Sequence, residues 1–182
     1  MKETRRELID NLSVCVDWAE AQELLNQAGS VAVGEAIAGL GHADPQVRKW
    51  CASFLDHNAT AEAVPAMIRA LTDKSTDVRR HAVHAIGCQP CKLEPLPIDV
   101  VGQLIDRATN DSSVRVRRAA VHLLGLQPND PRTAPALKKI LQSEEDSKVR
   151  SNARFALIRP DKESHKRFRI PARSGTRRNR PA

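Results

Sequence analysis

The chain has 182 residues, room for one ordinary domain or for a handful of stacked repeats. Its apolar fraction of 41% is mostly Ala, Leu, Val and Ile, with no Tyr, two Trp and three Phe, which suits close-packed helices and argues against a β-sandwich. The formal charge of +7 sits wholly at one end: residues 159–182 hold nine Lys/Arg against two acids, while residues 1–158 hold 20 of each sign.

The first residues, Met1 to Leu8, are charged and lead into no apolar signal-peptide core. No hydrophobic run approaches the ~20 residues of a membrane span, so the expectation is a cytoplasmic protein. Residues 1–30 carry Leu8, Leu12, Trp18, Ala21, Leu24 and Leu25 at helical spacing, which predicts a helical cap at the N-terminal end of the fold.

From residue 31 the sequence repeats itself. The segments beginning Val47-Arg48, Val78-Arg79, Val116-Arg117 and Val149-Arg150 align without gaps as V-R-x-x-(A/C)-x-x-x-(I/L), and the Val residues are spaced by 31, 38 and 33. The small residues at +4 are Cys51, Ala82, Ala120 and Ala153, and the aliphatics at +8 are Leu55, Ile86, Leu124 and Leu157. At about 100° per residue these three positions span an arc of about 80°, a single buried stripe. Another apolar segment precedes each motif, at 31–40, 64–71, 98–105 and 134–141. Pro65, Pro97 and Pro135 fall early in three of these, where a helix start tolerates proline. Gly41, Gly87 and Gly125 come directly after helical runs and suit left-handed C-terminal caps. Asp44, Asp77 and Asp111 precede the second helices as N-caps. The predicted unit is thus a helical hairpin, repeated over 31–57, 60–88, 97–125 and 131–158.

The segments at 44–51, 77–82 and 146–153, with the ends Leu40-Gly41, Ile86-Gly87 and Leu124-Gly125, resemble the HEAT-repeat family, in particular bacterial HEAT-like repeats of the phycobilisome lyase type. The resemblance covers roughly 31–158 and implies an all-α fold: a right-handed superhelical α-solenoid of about four helical hairpins with an N-terminal cap. It also implies that Arg48, Arg79, Arg117 and Arg150 pair with acids of the inter-helix turns, a structural ladder for which Asp44, Asp73, Asp77, Asp111 and Asp146 are at hand. For function the resemblance stays open, because the family includes scaffolds, lyases, hydroxylases and nucleic-acid binders. Its hydroxylases bind iron through His-Glu dipeptides, which this chain lacks, and its DNA glycosylases need aromatic and acidic groups, for which Trp50 alone is a thin basis.

Positions +2 and +6 of the motif lie at about 200° and 240°, nearly opposite the stripe. They hold Lys49 with Ser53, Arg80 with His84, Arg118 with His122, and Ser151 with Phe155, of which Lys49, Arg80, His84, Arg118 and His122 line up. The Arg/His pair thus recurs unchanged in two consecutive repeats, giving a basic strip on the face where such solenoids line up their second helices. It reads either as a grip for phosphate or a carboxylate-rich partner, or as a solvated face copied by duplication.

Cys88-Gln89-Pro90-Cys91 is the one pair with metal-ligand spacing, yet a structural zinc site needs four ligands and no second such pair exists. Gly87-Cys88-Gln89-Pro90-Cys91 aligns with Gly125-Leu126-Gln127-Pro128-Asn129, so a core Cys and a turn Cys are the ordinary reading and no cofactor is expected. No nucleophile triad, P-loop or dinucleotide fingerprint is present, which gives no ground for an enzyme. The tail is Pro-, Gly- and Ser-containing and rich in charge, and is expected to be disordered beyond Pro171. Lys166, Arg167, Arg169, Arg173, Arg177, Arg178 and Arg180 suit an acidic protein, an anionic membrane or nucleic-acid phosphates. Three functions fit this chain: an adaptor for a protein partner, a nucleic-acid-associated protein using tail and strip together, and a bilin-lyase-like or lyase-chaperone role carried only by the resemblance.

Overall fold

Each V-R motif places its Val at the third residue of an α-helix in the computed structural model, which describes residues 9–27, 31–88, 92, 95–127 and 129–158. A short 3₁₀ turn at Leu12–Val14 precedes α1 (Trp18–Gln27). Four helical hairpins come next: α2 (Ala32–Gly39) with α3 (Pro45–Asn58), α4 (Val64–Ala70) with α5 (Thr76–Gly87), α6 (Val100–Asn110) with α7 (Val114–Leu124), and α8 (Thr133–Ser143) with α9 (Ser147–Ile158). The second helices stack in series, α3 on α5, α5 on α7 and α7 on α9, while each first helix packs on its own partner. No strand occurs among the described residues, and none of their helices is long and apolar enough to cross a membrane.

The motif stripe is the centre of the core. Val47, Cys51, Leu55, Val78, Val116, Ala120, Leu124, Val149 and Ala153 are all fully buried. Burying a Val or Leu stabilises by about 1.5–3 kcal/mol, so the stripe is the main reason that the hairpins stack. The N-terminal cap closes the first hairpin through Ala21 and Leu25, both fully buried, and through Trp18, whose ring lies 5.9 Å from that of Trp50.

Two local expectations are corrected. First, Asp44 caps α3 by accepting from the amide of Gln46, but the caps of α5 and α7 are Ser75 and Ser113. Asp77 lies inside α5, and Asp73 and Asp111 instead accept from the amides of Ser75 and Ser113, bracing each turn from two residues upstream. Second, none of the six described glycines takes a left-handed backbone. Gly87 and Gly125 are required for close approach: a Cβ would stand 2.9 Å from Leu123 Cβ at the first and 2.6 Å from Ala156 Cβ at the second. These glycines let α5 meet α7 and α7 meet α9 with backbones close together.

Candidate functional site

The arginine after each motif Val reaches back along the turn of its own hairpin and outward to the next. Arg48 donates Nε and Nη2 to the Asp73 carboxylate at 2.7 and 2.9 Å, and its Nη1 to the carbonyls of His42 and Ala43. Arg79 repeats this on Asp111 at 2.8 and 3.0 Å, with Nη1 on the carbonyls of Asp73 and Lys74. Arg117 binds Glu144 at 2.8 and 2.9 Å. Asp146, expected from sequence as a partner for this ladder, instead accepts from the amides of Lys148 and Val149 at the start of α9, and Glu144 takes the rung because it stands five residues before the motif Val, the position of Asp73 and Asp111 in the preceding repeats. Arg150, in the last hairpin, bonds the carbonyls of Glu144 and Glu145. The bidentate fork is the strong form of this contact. The bond from Arg117 holds Glu144 below the ordinary carboxylate range, and at Asp73 burial pushes the carboxyl up but the bonds from Arg48 and the Ser75 amide outweigh it.

The strip positions meet different fates. Lys49 lies with Nζ 3.7 Å from the centre of the Trp50 ring, a cation–π contact, and burial there pulls its ammonium below the usual lysine value, with Arg80 adding to the effect and Asp77 opposing it. Arg80 has its Nε 3.9 Å from Asp77 and its Nη2 2.9 Å from the Nε2 of His81. Arg115, absent from the expected strip, joins this group with its guanidinium 3.0 Å from Asp77. Its signal in the sequence is its place directly before the motif Val of α7. Arg118 and His122 are exposed on α7. His81 is a further residue missed in sequence. Burial, then Arg80 and Lys49, push its imidazole down to about 4, so it is neutral and accepts the Arg80 bond.

His84 does not stand free on the strip. Its Nδ1 is 2.8 Å from Asp56 Oδ2, and Asp56 is buried at the end of α3. His57 Nε2 lies 3.4 Å from the same oxygen. Lys92 donates Nζ to the carbonyls of Asp56 and Cys88, both at 3.1 Å, and stands 3.7 Å from Asp56 Oδ1. Burial pushes the Asp56 carboxyl up, but His84, Lys92 and His57 together bring it below its usual value. Cys88, buried, comes within 4.8 Å of this carboxylate and imidazole through its sulfur, so the three side chains form a set with metal-ligating atoms. Cys91 and the tail residues Lys166, Arg167, Arg169, Arg173, Arg177, Arg178 and Arg180 lie outside the described residues.

The profile of the family described as HEAT repeats matches residues 34–94 and 94–158. No curated protein matches the sequence. Among solved structures, the complex of CpcE and CpcF of phycocyanin lyase from Nostoc sp. PCC7120 is similar at a TM-score of 0.68 and 24% identity, over 86% of this chain and 99% of the other. A designed armadillo repeat protein in complex with the peptide (KR)4 is similar at 0.54 and 21%, over 82% and 71%. An engineered protein is similar at 0.52 and 18%, over 82% and 78%. At these identities the likeness is one of fold.

Proposed function

Since the chain belongs to the HEAT-repeat family, we propose that it is a non-catalytic scaffold whose second-helix face holds a protein partner, with the basic tail adding electrostatic attraction. The observation that carries this reading is the division of labour among the arginines. Arg48, Arg79 and Arg117 spend their forks on carboxylates of the next turn, and no charge of theirs is left for a ligand. Arg80 and Arg115 share Asp77 as their acid, Lys49 lies over the Trp50 ring and Arg118 stands exposed, so the stacked second helices α3, α5 and α7 carry a surplus of positive charge on that face. A carboxylate-rich peptide fits such a face. That a neighbouring fold is seen holding a partner chain, and another a peptide, supports the use of the stacked helices for protein contacts. The peptide in the second case is itself basic, so a basic strip here calls for a partner of opposite charge.

A labelled acidic peptide titrated into the full chain, read by fluorescence anisotropy, tests the proposal. Binding that falls by about tenfold between roughly 50 and 200 mM salt, and that Arg118→Glu weakens further, is the expected result. Equal affinity for an acidic and a neutral peptide would refute it.

A nucleic-acid role would use the tail and the Arg/His strip together on phosphates, and tighter binding of DNA or RNA than of the acidic peptide would favour it. The lyase-like role has the CpcE–CpcF likeness behind it, which at 24% identity carries fold and not activity.

A further inference from the structure

The joint between α3 and α5 departs from the repeat in a way that brings ligand chemistry together. Counting from the motif Val, Asp56 occupies the position held by Gly87 and Gly125 in the next two repeats. Cys88 occupies the position of Leu126, and His84 that of His122. Where the repeat puts glycine, the neighbouring helix leaves no room for a side chain: a Cβ would stand 2.9 Å from Leu123 at Gly87 and 2.6 Å from Ala156 at Gly125. An aspartate in that place gives up the close approach and puts a carboxylate into the joint instead. Two departures in different hairpins, 32 residues apart, thus meet at one spot.

We propose that Asp56, His84 and Cys88 form an open zinc site at the joint between the C-terminal ends of α3 and α5, with water as the fourth ligand. Carboxylate oxygen, imidazole nitrogen and thiolate sulfur are the donors that Zn²⁺ takes, and a mixed set of three with an open position is a known form of its coordination. Their ligating atoms already lie within 4.8 Å of one another. Tetrahedral bonds of about 2.0–2.3 Å put such atoms about 3.5 Å apart, so an ion entering the site parts the 2.8 Å contact of His84 with Asp56 and draws the more distant atoms of the set inward by about 1 Å. A second observation is independent of the clustering: Asp56 is 7% exposed, yet its Oδ1 is buried without a hydrogen bond. A buried carboxylate oxygen in that state is costly unless something cationic takes it. The Lys92 ammonium is 3.7 Å away and is held by two main-chain carbonyls, so it softens that cost without closing the bond. The His84 side chain is 47% exposed and gives the ion a way in from solvent.

On binding, the Cys88 thiol releases its proton to solvent as the zinc–sulfur bond forms, while the Asp56 carboxylate and the neutral His84 ring bind through lone pairs. Oxidation state does not change. The corresponding joint between α5 and α7 offers Gly87, His122 and Leu126, which is one ligand in place of three, so the molecule contains its own non-binding copy.

The test is titration of the reduced, full-length protein with Zn²⁺ against a chromogenic indicator, and separately with Co²⁺ alone. One metal ion per chain is expected, with a thiolate-to-cobalt charge-transfer band and a rise in melting temperature on adding Zn²⁺. His84→Ala, at an exposed position that leaves the fold intact, should weaken binding by at least about tenfold, and Asp56→Asn likewise. Cys88→Ser should remove the charge-transfer band. Circular dichroism on each variant separates loss of the site from loss of the fold. Absence of stoichiometric binding by the wild-type chain overturns the proposal. So does binding that His84→Ala and Asp56→Asn leave unchanged, including the case in which Cys88→Ser and Cys91→Ser alone abolish it, which would assign the metal to the two cysteines.

Discussion

Replacing Asp111 with Ala removes the best-buried rung of the ladder. The Asp111 side chain is 1% exposed and that of Arg79 is 10% exposed, against 12% and 14% for Asp73 and Arg48. The substitution deletes both bonds of the fork, the bond to the Ser113 amide, and a 3.6 Å contact with Arg107. It leaves the Arg79 guanidinium in the joint between hairpins with the carbonyls of Asp73 and Lys74 and the Ser112 hydroxyl as its acceptors, and no carboxylate. Stranding one member of a buried pair costs about 3–5 kcal/mol, and the two carbonyls that remain place Asp111→Ala near the lower end, about 3 kcal/mol. For a chain of this length that is a fall in melting temperature of roughly 6–12 °C. Thermal or urea unfolding of Asp111→Ala, Arg79→Ala and the double variant measures both the cost and the coupling. Arg132→Ala is the comparison: it breaks pairs to Asp99 and Asp130 on the exposed surface, and should leave the melting temperature close to wild type. If Asp111→Ala is as mild as Arg132→Ala, or if the double variant shows the two losses simply adding, the ladder does not link the repeats.

Gly87→Ala and Gly125→Ala should each destabilise by about 1–3 kcal/mol through overpacking against Leu123 and Ala156, whereas Gly41→Ala, whose new Cβ would meet only a carbonyl oxygen at 3.4 Å, should be neutral or slightly stabilising in the same unfolding experiment. His81 is neutral in the fold down to about pH 4, while an unfolded histidine takes up its proton near pH 6.5. The unfolded chain therefore binds more protons between those values, and stability should fall as pH drops through that window and be level above it. His81→Gln should flatten the slope in melting temperature against pH. Below about pH 4 a second loss begins, as Asp73 and Glu144, whose carboxyls lie below their ordinary values when folded, become protonated. If the seven basic tail residues engage duplex DNA together, log K against log salt should have a slope of about −6, and deletion of 159–182 should reduce it to near zero.

The helices were legible because one stripe is written four times over, and residues such as Val78 and Ala82 have no role except burial. The arginine of the motif was legible for the same reason, although its third partner was not. Glu144 and Asp146 both lie in the last turn, and the register settles their roles: Glu144 stands five residues before the motif Val, as Asp73 and Asp111 do, and Asp146 stands three before it, as the cap Asp44 does. The glycines misled because a helix that ends in glycine reads the same whether the residue bends the chain or admits a neighbour. Only the distance from Gly125 to Ala156, on a helix some thirty residues further along, distinguishes the two. The pairing of His84 with Asp56 was hidden by sequence distance, the two residues standing 28 positions apart in different repeats. Alignment of the repeats did carry the signal, since Asp56 and Cys88 both break the pattern, but not the fact that the two breaks face each other.

Two variants measured side by side test the central claim, that the motif arginines hold the repeats together while the residues beside them face a partner. Arg80→Glu with Arg118→Glu, and Asp111→Ala, are each assayed for melting temperature and for affinity to an acidic peptide, at a temperature where both are folded. The account predicts that the charge reversal loses at least about tenfold in affinity with little change in melting temperature, and that Asp111→Ala keeps its affinity while melting earlier. Unchanged affinity in the charge-reversed protein, or a lost affinity in Asp111→Ala at full helicity, would contradict it.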